Sequence, residues 1–179
     1  MKIESKITNI NEIDFIVKRL KQSPVIYNKN FEFKLLYRGT RDGDDTIKLH
    51  IKCDGKKNVI IFMRSEEGKN YGGFSNIGWE ERPKDKWEYP IDDNAFLFSV
   101  DSKRIFNAKK GKNQICWLNS DEYGLSFYCS LTFYNKFLTK ENINIGSCIS
   151  SNFENCSKYE FNSGKQSCKL SELEVFQII

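Results

Sequence analysis

Hydrophobic positions change their period along the chain, and each period predicts an element. Over residues 9–22, Ile10, Ile13, Val17 and Leu20 fall on one helical stripe; Asn9 stands where a cap belongs, and Glu12 follows as in a capping box. Ser23-Pro24 ends that helix. From Phe31 the period drops to two: Phe31, Phe33, Leu35 and Tyr37 alternate with Glu32, Lys34, Leu36 and Arg38, which predicts a strand with one face more buried than the other. Asp42-Gly43-Asp44-Asp45 reads as a turn. Residues 45–53 fit two templates. Ile47, Leu49, Ile51 and Cys53 alternate as in a strand, while Ile47 and Ile51 also stand at i, i+4 behind acidic residues suited to a helix start; the pattern leans to strand.

The clearest signals follow Asp54-Gly55. VIIFMRS, a turn at Glu66-Glu67-Gly68-Lys69 and NYGGFSNIGW make one β-hairpin, and after a polar loop AFLFSVDS and RIFNA make a second, with QICWLNS beginning a further strand. Asn, Ser and Gly break the pattern between Asp121 and Ser163, predicting short strands and long loops, and LSELEVFQII closes the chain as a strand. There is no internal repeat, heptad run or Gly/Ser linker. The economical division is a helical extension over residues 1–30 and one mainly β domain over 31–179.

Composition supports sheet: 14 Phe and 8 Tyr among 179 residues are too many large rings for a disordered chain. The net charge of +4 is spread through alternating signs, a solubility charge rather than a nucleic-acid-binding stripe. The N-terminus has no apolar signal region and the longest apolar runs, such as Val59 to Met63, reach only five residues, so a cytoplasmic protein without membrane insertion is expected. The six cysteines are then expected to be thiols.

The inventory of chemistry is sparse. A single histidine, His50, is too few for a zinc-protease or His-rich zinc site. Gly124-Leu125-Ser126-Phe127-Tyr128 lacks the second glycine of a nucleophile elbow, and no Gly-Lys pair has the upstream glycine of a phosphate loop. Asp42, Asp44 and Asp45 resemble the opening of a calcium loop, but Ile47 and Cys53 occupy its glycine and glutamate positions. The cysteines form no Cys-x-x-Cys, and Cys148 or Cys156, in the loop region, is the candidate for redox reactivity. The expectation is no catalytic residue, cofactor or metal. Lys103, Arg104, Lys109, Lys110 and Lys112 straddle the second hairpin as a candidate surface for phosphates or an acidic protein.

Taken in order, LLYRGTRDG, the Lys52-Cys53-Asp54-Gly55 turn, VIIFMRSEEGKNYGGFSNIGW, DDNAFLFSVD, Glu122-Tyr123-Gly124 and SELEVFQI resemble a TLDc domain, the oxidation-resistance and nuclear-receptor-coactivator-7 type, over residues 31–179. The resemblance implies a β-sandwich of two antiparallel sheets flanked by a few helices, with the first and last strands inside the fold. It also implies a helix at 45–53, against the periodicity. It implies an architectural role for Gly72, Gly73, Trp79, Ala95 to Phe98, Tyr123 and Gly124, and leaves Glu172 and Glu174 as partner contacts or as acceptors for buried backbone donors. The function implied is non-catalytic: docking on the cytosolic part of the vacuolar proton-pumping ATPase and support of oxidative-stress resistance. A cysteine-dependent redox protein is the alternative. One departure stands out: where the family has a glycine-rich Phe-Gly-Gly stretch after Tyr-Gly, this chain has Ser126, Phe127, Tyr128 and Cys129.

Overall fold

A computed structural model describes residues 2–27, 30–79, 90–112, 122–127, 130–141, 143–146, 149–161 and 164–179. Among these, α1 (Asp14–Gln22) precedes β1 (Phe33–Arg38), α2 (Gly39–Asp42), α3 (Thr46–Cys53), β2 (Val59–Ser65) and β3 (Asn70–Ser75). The chain continues through β4 (Phe96–Ser99), β5 (Arg104–Asn107), β6 (Leu131–Phe133), β7 (Ile143–Ile145), α4 (Ile149–Asn152), β8 (Ser167–Cys168) and β9 (Leu170–Ile178). The expected strand at QICWLNS lies outside the described residues.

The strands form two antiparallel sheets, ordered β1-β9-β2-β3-β4-β5 and β6-β7-β8. The expected mainly β, two-sheet fold with short helices is the one observed. The last strand lies between the first and second, with Phe33 opposite Ile178 and Ile61 opposite Val175. Ile61, Leu97, Phe106, Leu173 and Val175 on one face of the large sheet share a core with Leu131, Phe133, Ile143 and Ile145 of the small sheet. The opposite face, carrying Ile60, Phe62, Phe74, Phe96, Phe98 and Phe176, is covered by Ile7, Ile13, Ile16, Val17, Leu20 and Ile26. This two-sided cover explains the unbroken apolar run in β2, because a strand buried on both faces has no polar side to present.

The N-terminal helix forms as its stripe predicts, with Ile16 added to the buried set and Ile10 only half-buried. Asn9 Oδ1 accepts from the Glu12 amide at 3.2 Å while Glu12 Oε2 accepts from the Asn9 amide at 3.1 Å, the reciprocal pairing of a capping box. That pairing closes a first turn, and regular helix begins at Asp14.

Two periodic readings need correction. Residues 46–53 are helical, with Asp45 capping the start by accepting from the Ile47 amide at 2.9 Å. Thr46, Leu49, His50 and Cys53 are buried at helical spacing, whereas Ile47 and Ile51 face outward. The apparent alternation arose from two exposed isoleucines. In β1, a bulge between Leu35 and Tyr37 breaks the register, so Phe33 and Leu35 face the core under α1 while Tyr37 turns into the core between the sheets.

Candidate functional site

Gly73, Trp79, Tyr123 and Gly124, singled out in the sequence, converge on the packing of the large sheet against residues 122–127 and 130–137. Gly72 and Gly73 stand between Phe62 and Phe98, and between Ile61 and Leu97, on the flanking strands. A Cβ on Gly72 would lie 1.9 Å from the Ile61 carbonyl oxygen and 2.7 Å from the Phe98 ring; one on Gly73 would lie 2.6 Å from the Phe127 ring. Successive strand residues face opposite sides, so one glycine makes room on each face of β3. Phe127 stacks edge-on against Trp79 at 5.4 Å, and the Trp79 indole N–H donates to the Ser126 carbonyl at 3.0 Å. Gly124 lets the Phe133 ring approach to 2.0 Å of where a Cβ would be. Tyr123 packs against Tyr134 at 5.0 Å.

His50 belongs to the same joint. Its Nδ1 lies 2.8 Å from Asp54 Oδ1 and its Nε2 lies 2.9 Å from the Tyr123 carbonyl oxygen, which ties α3 to the 122–137 segment.

Glu172 and Glu174 are buried on β9. Glu174, 0% exposed, accepts from Arg38 Nε at 2.6 Å, from the Lys6 amide at 2.9 Å and from the Ser5 hydroxyl. Glu172 accepts from the amides of Thr40 and Leu173, both at 3.0 Å, and from the Thr40 hydroxyl. Glu174 thus satisfies a backbone donor where the N-terminal segment meets the sheet, and Glu172 satisfies backbone donors of α2 and of β9 itself. Arg38 and Arg64 complete the seam by donating to the carbonyls of Glu4 and Ile7. Sequence reasoning missed both arginines; their only signal was a charge on a strand whose neighbours are apolar.

The basic residues are not one patch. Arg104 pairs with Glu160 and lies over the Phe106 ring at 5.0 Å; Lys109 Nζ donates to the Ser150 carbonyl at 2.7 Å. Lys103 and Lys110 are exposed beyond opposite ends of β5, and Lys112 is exposed near Lys110.

Asp42, Asp44 and Asp45 each have donors of the protein itself. Asp42 takes the Arg38 amide, Arg41 and Lys52; Asp44 takes Lys136 and Thr139; Asp45 caps α3. Although burial acts the other way, the hydrogen bonds from Arg41, Arg38 and Lys52 hold the Asp42 carboxyl well below the usual range. Cys53, Cys156 and Cys168 are free thiols and buried. Burial pushes Cys156 up to about 12 and Cys168 up to about 11, and raises Cys53 further. Cys148 lies outside the described residues.

The family model of the TLDc domain matches residues 1–179, the whole chain. The chain belongs to the TLDc domain family. The MTOR-associated protein MEAK7 of zebrafish (Danio rerio) is 24% identical over 91 residues, which cover 50% of this chain and 19% of that one. This TLDc chain therefore matches about a fifth of its relative's length. The expected TLDc resemblance over 31–179 is thus met, and the family match extends through the N-terminal helix as well. Among the described residues, no helix is long and apolar enough to cross a membrane.

Proposed function

We propose that this TLDc domain is a non-catalytic, cytoplasmic interaction domain that docks on a large assembly and regulates it, with the cytosolic part of the vacuolar proton-pumping ATPase as the assembly, and that it supports oxidative-stress resistance in this way. The observation that carries the reading is family membership over the full chain. The zebrafish relative, named as MTOR-associated, supports the coarser part, association with a partner protein. The side chains singled out fit a binding scaffold. Trp79, Gly73, Tyr123 and Gly124 build the joint between the sheets, Gly72 makes room on the face under α1, Glu174 fastens the N-terminal segment and Glu172 fastens the start of α2. Lys103, Lys110 and Lys112 are the exposed lysines of the basic set and are open to an acidic partner.

The cysteine-dependent alternative requires an accessible thiolate. Cys156 is 5% exposed and its pKa is raised by burial, which weighs against that one candidate. The test is affinity capture of proton-pump subunits with tagged wild-type protein, a folded cysteine-free variant, and a K103E/K110E variant. The expected result is capture by the first two, with weakened, salt-sensitive capture by the third. Loss of capture and stress protection in the cysteine-free protein alone would favour the redox alternative and overturn the reading.

A further inference from the structure

The two edges of the six-stranded sheet are treated differently. Beside β5, the segment 149–160 closes the edge: the Glu154 amide donates to the Asn107 carbonyl at 2.9 Å, the Lys109 amide donates to the Asn152 carbonyl at 2.8 Å, and Ala108 bridges to Phe153. Among the described residues, no chain is paired on the outer side of β1. Glu32 exchanges both main-chain hydrogen bonds with Ile179, at 2.7 and 3.1 Å, so alternation turns the amides and carbonyls of Phe31, Phe33 and Leu35 away from β9. A groove of about 540 Å³ runs along this edge, lined by Lys2, Glu4, Glu32, Phe33 and Leu35. Unpaired main-chain donors and acceptors along an open strand recognise another extended backbone.

We infer that this edge pairs antiparallel with the same edge of a second copy, about a two-fold axis through Phe33. The sequence of the edge selects that occupant. In that register Phe33 meets Phe33 and exchanges both main-chain bonds, Phe31 meets Leu35, and Glu32 meets Lys34 on each side of the axis. Each side chain thus faces one of matching polarity or opposite charge. Glu32 and Lys34 are both exposed, and neither has an ion pair within the chain among the described residues. Other registers fail this match: an axis through Lys34 would set Lys34 against Lys34, and like charges directly opposite each other destabilise a strand pair. The bulge between Leu35 and Tyr37 ends the straight part of the edge, so pairing is confined to residues 31–35. So short a contact gives a weak, concentration-dependent dimer, not a permanent one. The inference is independent of which assembly the domain binds.

Sedimentation velocity with the full chain, from low-micromolar to near-millimolar concentration, tests it through charge exchange. Wild-type protein is expected to shift to twice the monomer mass as concentration rises. E32K and K34E are each expected to stay monomeric, because each sets like charges together at both flanking positions. A mixture of E32K with K34E is expected to recover the dimer, because every flanking pair is then opposite in sign. Folding of each variant is checked by its melting temperature, and amide exchange reports the site: Phe33 and Leu35 should exchange fast in dilute protein and become protected as the dimer forms. Wild-type protein that stays monomeric throughout, dimers that persist in both single variants, or a mixture that remains monomeric would overturn it.

Discussion

At the residue scale, Gly72, Gly73 and Gly124 mark where rings and main chain approach too closely for a Cβ. Their spacing in the sequence said that backbone would come near something; it could not say that β3 is covered on both faces. Alanine at Gly72 forces the strand itself to move, since the nearest obstacle is the Ile61 carbonyl, whereas alanine at Gly73 meets side chains, the Phe127 ring and Leu97. Overpacking of this kind costs about 1–3 kcal/mol, with Gly72→Ala expected at or above the top of that range, as measured by urea midpoints. Glu174 makes a second residue-scale prediction. Its carboxylate is buried and its partner Arg38 is only 16% exposed, so Glu174→Ala strands a guanidinium and frees the Lys6 amide. Removing one partner of such a pair costs about 3–5 kcal/mol, and the lower end is expected because Arg38 retains some water. Of the two roles open to Glu172 and Glu174, partner contact or acceptor for backbone donors, the sequence could not choose, because an acid in an alternating strand reads equally as a solvated position; the structure shows them accepting from backbone amides.

At the element scale, the hairpins and the closing strand were legible because β-branched and aromatic runs were bracketed by Gly and acidic turns. The helix α3 was not legible in the periodicity, although the TLDc resemblance implied it and the structure bears that out. Eight residues hold barely two turns, and exposed isoleucines at i, i+4 imitate one face of a strand. The consequence is a sharp contrast between neighbours. Leu49→Ala should cost about 2–5 kcal/mol, since the side chain is buried, whereas Ile51→Ser, at a position 79% exposed, should stay within about 0.5 kcal/mol. If residues 46–53 were a strand with the period-two face inward, both would be costly. The bulge in β1 was equally hidden, since a single inserted residue leaves the alternation of residue types intact while exchanging which face each side chain meets.

At the scale of the whole molecule, the N-terminal segment is the second cover of the large sheet, held by main-chain contacts to Glu174, Arg38 and Arg64. The amphipathic stripe of α1 announced that the helix packs on something; the aromatic face beneath it became identifiable only once the register of five strands was known. Deleting residues 1–27 would uncover Phe62, Phe74, Phe96, Phe98 and Phe176 together, and is expected to give protein that aggregates or binds a hydrophobic dye. Buried thiols add a pH signature. Burial raises Cys156 to about 12 and Cys168 to about 11 from 9.0, so above about pH 9 the unfolded chain loses protons that the folded chain keeps. Stability therefore holds below that pH and falls as pH rises toward 11 and 12, which urea midpoints at about pH 8 and about pH 10.5 would show. Whether the domain works by binding and not by chemistry is decided with purified components. Wild-type and cysteine-free protein would be titrated onto the isolated cytosolic sector of the vacuolar proton pump while occupancy and ATP hydrolysis are followed. Saturable binding with equal affinity for both proteins is expected, with a change in hydrolysis that tracks occupancy; no binding by either folded protein would overturn the proposed function.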